Sequence, residues 1–123
     1  MAYDPAFGDW VRDHLKDLGA IEIKRMFGAA GVKFNGAMFA ILDDGEVWLK
    51  ADAALAEDMA AAGSRQFSYA TKDGQTMLMG YWSLPDGAVD DADEAVTWAR
   101  RAAEVALRPK PKRRPAQAKD QPV

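Results

Sequence analysis

The chain has 123 residues, enough for one domain with its own core and too few for two of ordinary size. Hydrophobic residues make up 49% and aromatics 10%, which excludes wholesale disorder, and the absence of cysteine excludes disulfides, thiolate chemistry and cysteine-based zinc sites. The net charge of -3 conceals an uneven distribution: residues 1–107 carry 10 Lys/Arg against 18 Asp/Glu, whereas residues 108–123 carry six against one.

The N-terminus holds Asp4, Asp9, Asp13 and Asp17 and lacks the basic start and apolar stretch of a secretory signal. The longest uncharged stretch, residues 75–85, has 11 residues and contains Gly80 and Pro85. A membrane-spanning helix needs about 20 apolar residues. These features predict a soluble, cytoplasmic protein that does not enter a membrane.

Asp4 is a candidate N-cap and Pro5 suits the first helical position, followed by Phe7, Trp10, Val11, Leu15 and Leu18 at helical spacing and by Gly19 as a stop. The only histidine, His14, shares the apolar face of this helix with Phe7, Val11 and Leu18. Without a second histidine, a cysteine or a nucleophile motif, it reads as a packed or interface residue rather than a ligand or general base. Ile21 and Ile23 then alternate with Glu22 and Lys24 as in a half-buried strand, and Arg25 falls on the apolar side of that alternation. Either Arg25 lies at a strand edge with its guanidinium in water, or a carboxylate holds it inward.

Gly28 and Gly31 read as backbone punctuation between two strands. Asn35-Gly36 marks a two-residue hairpin turn between Val32–Phe34 and Ala37–Leu42, and the acidic turn at 43–46 leads into a strand at Val47–Lys50. The turn carboxylates lack calcium-loop spacing. Asp52 can cap a short helix with Leu55, Met59 and Ala62 at helical spacing and Gly63 as its stop. A further hairpin joins Gln66–Ala70 to Thr76–Ser83 through Asp73-Gly74, and residues 84–87 read as a loop. The last helix begins near Asp91, with Ala95, Trp98, Ala102 and Val105 as its seam, and ends at Arg108-Pro109. The methionines and aromatics, at strand or helix spacing, read as core rather than as a ligand cage.

The elements run helix, three strands, helix, two strands, helix. They predict an α+β domain over residues 1–107, an antiparallel sheet of five to six strands with three packed helices. Residues 108–123, with four prolines, six cationic residues and no aromatic, cannot bury a core and read as a disordered basic tail. That tail is either a solvated terminus or an electrostatic arm for phosphate backbones.

The residues Lys24-Arg25-Met26-Phe27-Gly28, Gly31-Val32, Asn35-Gly36, Met38-Phe39-Ala40 and Trp48-Leu49-Lys50 form a recognisable series. Phe67-Ser68-Tyr69, Tyr81, Leu84-Pro85 and the Trp98 helix continue it, from about Phe7 to Leu107. In this pattern the chain resembles the TfoX N-terminal domain family, proteins related to the Sxy/TfoX regulators of natural DNA transformation. The resemblance implies a secretion-chaperone-like α+β fold, a cytoplasmic bacterial protein, a regulatory role, no enzymatic activity and no cofactor; it supplies no catalytic residues. The longer regulators carry a second, helical C-terminal domain, in whose place this chain has the basic tail.

Three functional classes follow. The first is a non-enzymatic regulatory module that binds a protein partner through a sheet edge or aromatic face, with Arg25, Phe27, Tyr69, Tyr81 and Trp82 as candidate contacts. The alternative is a nucleic-acid-binding accessory protein that uses Lys24, Lys33, Arg108, Lys110, Lys112, Arg113 and Arg114, opposed by the acidic body. The third, an enzyme, has one His, three Ser and turn-bound carboxylates to draw on, and needs a cleft holding His14 beside two carboxylates. No metal site is expected. A homodimer is compatible with the helices, and the sequence does not specify one.

Overall fold

The computed structural model describes residues 4–26, 28–70 and 76–108. Phe27, the Asp73-Gly74 turn and the tail from Pro109 onward lie outside them. Helix α1 spans Pro5–His14, its first turn closed by the Asp4 side chain accepting from the Ala6 N–H at 3.0 Å. A 3-10 turn over Lys16–Leu18 follows, so the helical segment tightens before it reaches Gly19. Gly19 has φ 130°, a conformation that L side chains rarely adopt, and turns the chain into the sheet.

The described residues form six strands, β1 (Glu22–Met26), β2 (Ala29–Phe34), β3 (Ala37–Asp43), β4 (Glu46–Lys50), β5 (Gln66–Ala70) and β6 (Thr76–Ser83). They form one antiparallel sheet in the order β1-β2-β3-β4-β6-β5. The segment after Gly19 is therefore a strand of its own, at one edge. Both β2–β3 and β3–β4 turn through paired left-handed residues, Asn35 and Gly36 at φ 51° and 85° and Asp44 and Gly45 at 54° and 76°. These are the dihedrals for which Asn-Gly and Asp-Gly are suited.

Between β2 and β3 the register slips: Val32 opposes Ala40 but Lys33 opposes Met38, which leaves Phe39 as the extra residue. The bulge lets the consecutive residues Phe39 and Ala40 both be fully buried. They join Ala30, Val32, Leu42, Val47 and Leu49 in one core face. Over this face lie α1 through Val11, α2 (Ala53–Ala61) through Leu55 and Met59, and α4 (Ala92–Leu107) through Ala95, Ala99, Ala102 and Ala103. The alanine stripe lets α4 lie close on the sheet, so that larger strand residues fill the space beneath. Burial of each large side chain such as Leu42 or Leu49 contributes about 1.5–3 kcal/mol.

Asp52 and Asp91 cap α2 and α4 by accepting from the N–H groups of Leu55 and Glu94 at 2.9 and 3.2 Å. One helix was not expected. Within the segment read as a loop, α3 forms a single turn at Asp86–Val89, making four α-helices rather than three among the described residues. Propensity misses it because the turn contains Gly87. It is set instead by tertiary contact, with Ala88 fully buried and its N–H donating to the Pro85 carbonyl at 2.9 Å.

Candidate functional site

Three segments distant in sequence meet around an open groove of about 380 Å3: Phe7 and Trp10 from α1, the turn into β4 at Gly45, Glu46 and Val47, and Leu84, Asp86, Val89 and Asp90 around α3. The Asp4 cap and Pro5 set the start of α1 so that Val11 and Leu15 face the core. Phe7, Trp10 and His14 then fall at helical spacing beside that seam. They form a continuous stack, Phe7 to Trp10 at 5.6 Å between centroids and Trp10 to His14 at 4.4 Å, with planes 10° and 18° apart.

His14 anchors this wall to the opposite one. Its Nε2–H donates to the Ala88 carbonyl at 2.8 Å, which fixes a proton on Nε2 because a carbonyl can only accept. The third side is tied in by the Leu84 N–H, which donates to the Val47 carbonyl at 2.9 Å. The groove is thus braced from behind by contacts that do not use its own apolar surface.

That surface is left to solvent. Among the described residues the large hydrophobics that remain exposed are Trp10, Val89 and Leu107, and two of the three line this groove. Three carboxylates, Glu46, Asp86 and Asp90, share the lining, and no cationic side chain does. Glu46 is paired with Arg65, whose guanidinium lies 5.4 Å from the centre of the Trp48 ring. Asp86 and Asp90 have no ion-pair partner among the described residues. The groove therefore offers apolar contact and cation recognition. Its described lining presents no hydroxyl, thiol or amine side chain, and His14 is spent on the Ala88 carbonyl, so the cleft sought for an enzyme, with His14 facing two carboxylates, does not form here. Among the described residues no group of His, Cys, Asp and Glu is placed to hold a metal ion.

The residues singled out from sequence are dispersed. Arg25 is exposed on the edge strand β1, opposite Ala30 and on the helix-covered side; Lys24 lies opposite Gly31 on the other side. Lys33 lies opposite Glu22, two residues from Lys24 along the same face, so these two cations share a surface with a carboxylate between them. Tyr81 is buried, and Trp82, its neighbour in β6, is half-buried against the core on the opposite face. They do not form one exposed aromatic patch. Burial pushes the Tyr81 phenol above its ordinary pKa by disfavouring the phenolate.

Tyr69 opposes Met77 by register. Phe27, Lys110, Lys112, Arg113 and Arg114 lie outside the described residues. Arg108 caps the C-terminal end of α4 and reaches Asp52 at 2.8 Å. The Leu55 N–H and then the Arg108 guanidinium hold the Asp52 carboxyl below the usual carboxylate range. Sequence reasoning missed Trp10 and Val89 as site residues. The available signal was Val89 itself, an aliphatic residue in the acidic run Asp86 to Glu94.

No helix among the described residues is long and apolar enough to cross a membrane. No curated protein matches the chain. The model of the TfoX N-terminal domain matches residues 13–106, so the matched segment begins after Trp10 and ends before Arg108. On that match, which takes in all six strands described, α2, α3 and all but the last residue of α4, the chain belongs to the TfoX N-terminal domain family.

Proposed function

We propose that the chain is a non-enzymatic regulatory module of the cytoplasm, related to competence regulators, that works by seating a polypeptide partner in the groove between α1, the β3–β4 turn and α3. One observation carries this reading: exposed Trp10 and Val89 converge on one cavity that the described residues leave open. Exposed apolar surface concentrated in one rimmed concavity marks a binding site, whereas scattered exposed residues do not. The partner segment presents apolar side chains to Trp10, Phe7 and Val89 and cations to Asp86 and Asp90.

The nucleic-acid reading is supported by the basic tail, and it finds no counterpart in the groove, whose carboxylates repel phosphate. Of its candidate contacts, Lys24 and Lys33 share one face of the body.

A photoreactive phenylalanine analogue placed at Val89 tests the assignment, with the same group at exposed Glu57 on α2 as control. Cross-linking in native lysate is expected to give a discrete protein adduct at Val89, absent at Glu57 and lost when Trp10→Ala is added. No adduct at Val89, or the same adducts at both positions, would remove the groove as the partner site.

A further inference from the structure

We infer that the groove takes the proline-rich basic segment that follows α4, residues 109–115, from a second copy of this chain. The inference rests on the groove being a polypeptide site and adds the identity of its occupant. The chemistry of the two surfaces is complementary. The groove combines a stacked Phe7–Trp10 wall with Glu46, Asp86 and Asp90 on its rim. The segment Arg108-Pro109-Lys110-Pro111-Lys112-Arg113-Arg114-Pro115 alternates prolines with cations. Proline-rich segments in polyproline II form dock on aromatic-lined grooves, because proline rings pack on aromatic faces and the preset backbone loses little entropy on binding. Acidic residues at the rim then fix the cations.

The last described residue already has the required backbone. Arg108 leaves α4 at φ -66° and ψ 134°, close to polyproline II values and away from helix, as its position before Pro109 demands. Its guanidinium is held by Asp52, which anchors the point from which the segment departs.

Reach separates a chain's own groove from its neighbour's. Asp86 and Asp90 lie at the N-terminal end of α4 and Arg108 at its C-terminal end. The 16 residues of α4 put about 24 Å between them at 1.5 Å per residue. From Arg108 to Arg114 a polyproline II chain covers only about 19 Å, and that only if it runs straight back along the helix. At most the last side chains of the run can touch their own rim, and the segment as a whole, which starts at the far end of α4, cannot lie in its own groove. A second copy meets no such limit, and two chains can exchange segments reciprocally. The Phe7–Trp10 wall and the segment beyond Arg108 lie outside residues 13–106, whereas the acidic rim of the groove lies inside them.

Sedimentation velocity on the full chain at low and high salt tests the exchange with two charge reversals. One is Asp86→Lys with Asp90→Lys in the groove; the other is Lys112→Glu, Arg113→Glu and Arg114→Glu in the segment. The unmodified chain is expected to dimerise, more weakly as salt rises. Each reversed chain alone is expected to associate at least about tenfold more weakly, and an equimolar mixture of the two to dimerise again, because each segment then meets a groove of opposite charge. Circular dichroism confirms that each variant is folded. A monomeric unmodified chain up to about 100 µM at low salt, undiminished dimers of either reversed chain, or no dimer in the mixture would each overturn the exchange. A Val89 adduct with a different protein would survive any of these results, so the failure of this inference is distinguishable from failure of the groove as a partner site.

Discussion

The bulge in β3 makes a sharp prediction, because it decides which of two neighbouring side chains belongs to the core. With strict alternation outward from the buried Ala40, Phe39 would face away from the helices and Met38 toward them. The register slip reverses this, leaving Phe39 fully buried and Met38 half-buried on the other side. Phe39→Ala removes a whole ring from a site with no exposed surface. The cost is about 3–5 kcal/mol, combining lost transfer free energy with the cavity left behind. Small domains have a total stability of about 5–15 kcal/mol, so about a fifth or more of it is at stake. Met38→Ala, at a half-exposed position, is expected to cost about 1 kcal/mol. Urea unfolding followed by circular dichroism measures both, and Phe39→Leu serves if the alanine variant does not fold. A Met38→Ala cost equal to or above that of Phe39→Ala would refute the bulge and the core face drawn from it.

Two further outcomes test the backbone and the buried phenol. Gly19→Ala is expected to destabilise by about 2–3 kcal/mol, since φ of 130° strains any L residue and the new Cβ would lie 3.0 Å from Phe34 Cε1; Gly63→Ala, at φ 96° with open space around it, is expected to cost about 1 kcal/mol. Equal costs in urea titrations would remove the steric part of that account. Tyr81, whose pKa is raised by burial, is expected to ionise above the ordinary tyrosine pKa in an ultraviolet titration, and Tyr81→Phe to abolish that late step. Its folded pKa lies above the unfolded value of about 10, so below pH 10 it leaves stability unchanged, and stability falls as pH rises from there toward the folded pKa because only the unfolded chain has lost the proton. A Tyr81→Phe variant with an unaltered alkaline limb would contradict this.

The legible parts of the fold were those whose cause is local. Asp4, Asp52 and Asp91 cap helices by hydrogen bonds within three residues, and Asn35-Gly36 and Asp44-Gly45 adopt the left-handed angles that their types favour. The illegible parts arise from long-range contact. α3 exists because Ala88 is buried against the rest of the domain and receives His14 on its carbonyl, and no pattern in residues 84–90 announces that. The bulge at Phe39 disrupts the period of two on which face assignment depends. The site was hidden for the same reason. Trp10 has helical spacing suited to a core seam, yet stands at the edge of that seam and is 37% exposed. Tyr81 and Trp82, adjacent in sequence and both aromatic, are directed to opposite faces by the strand they share.

Under the proposed function, electrostatics and shape favour the same class of partner at this site. The segment 1–107 carries a balance of -8, and a field of that sign lowers the encounter rate with nucleic acid while raising it for cationic polypeptide. Asp86 and Asp90 concentrate that preference at the mouth of an apolar cavity, where the proposed partner would place a cation with its stem on Trp10 or Val89 and its head at a carboxylate. Neither Trp10 nor Val89 is required to close the core, because the groove walls are held by the His14–Ala88 and Leu84–Val47 hydrogen bonds. Substitutions at these two positions should therefore weaken binding more than folding, as expected of residues whose role is recognition rather than packing.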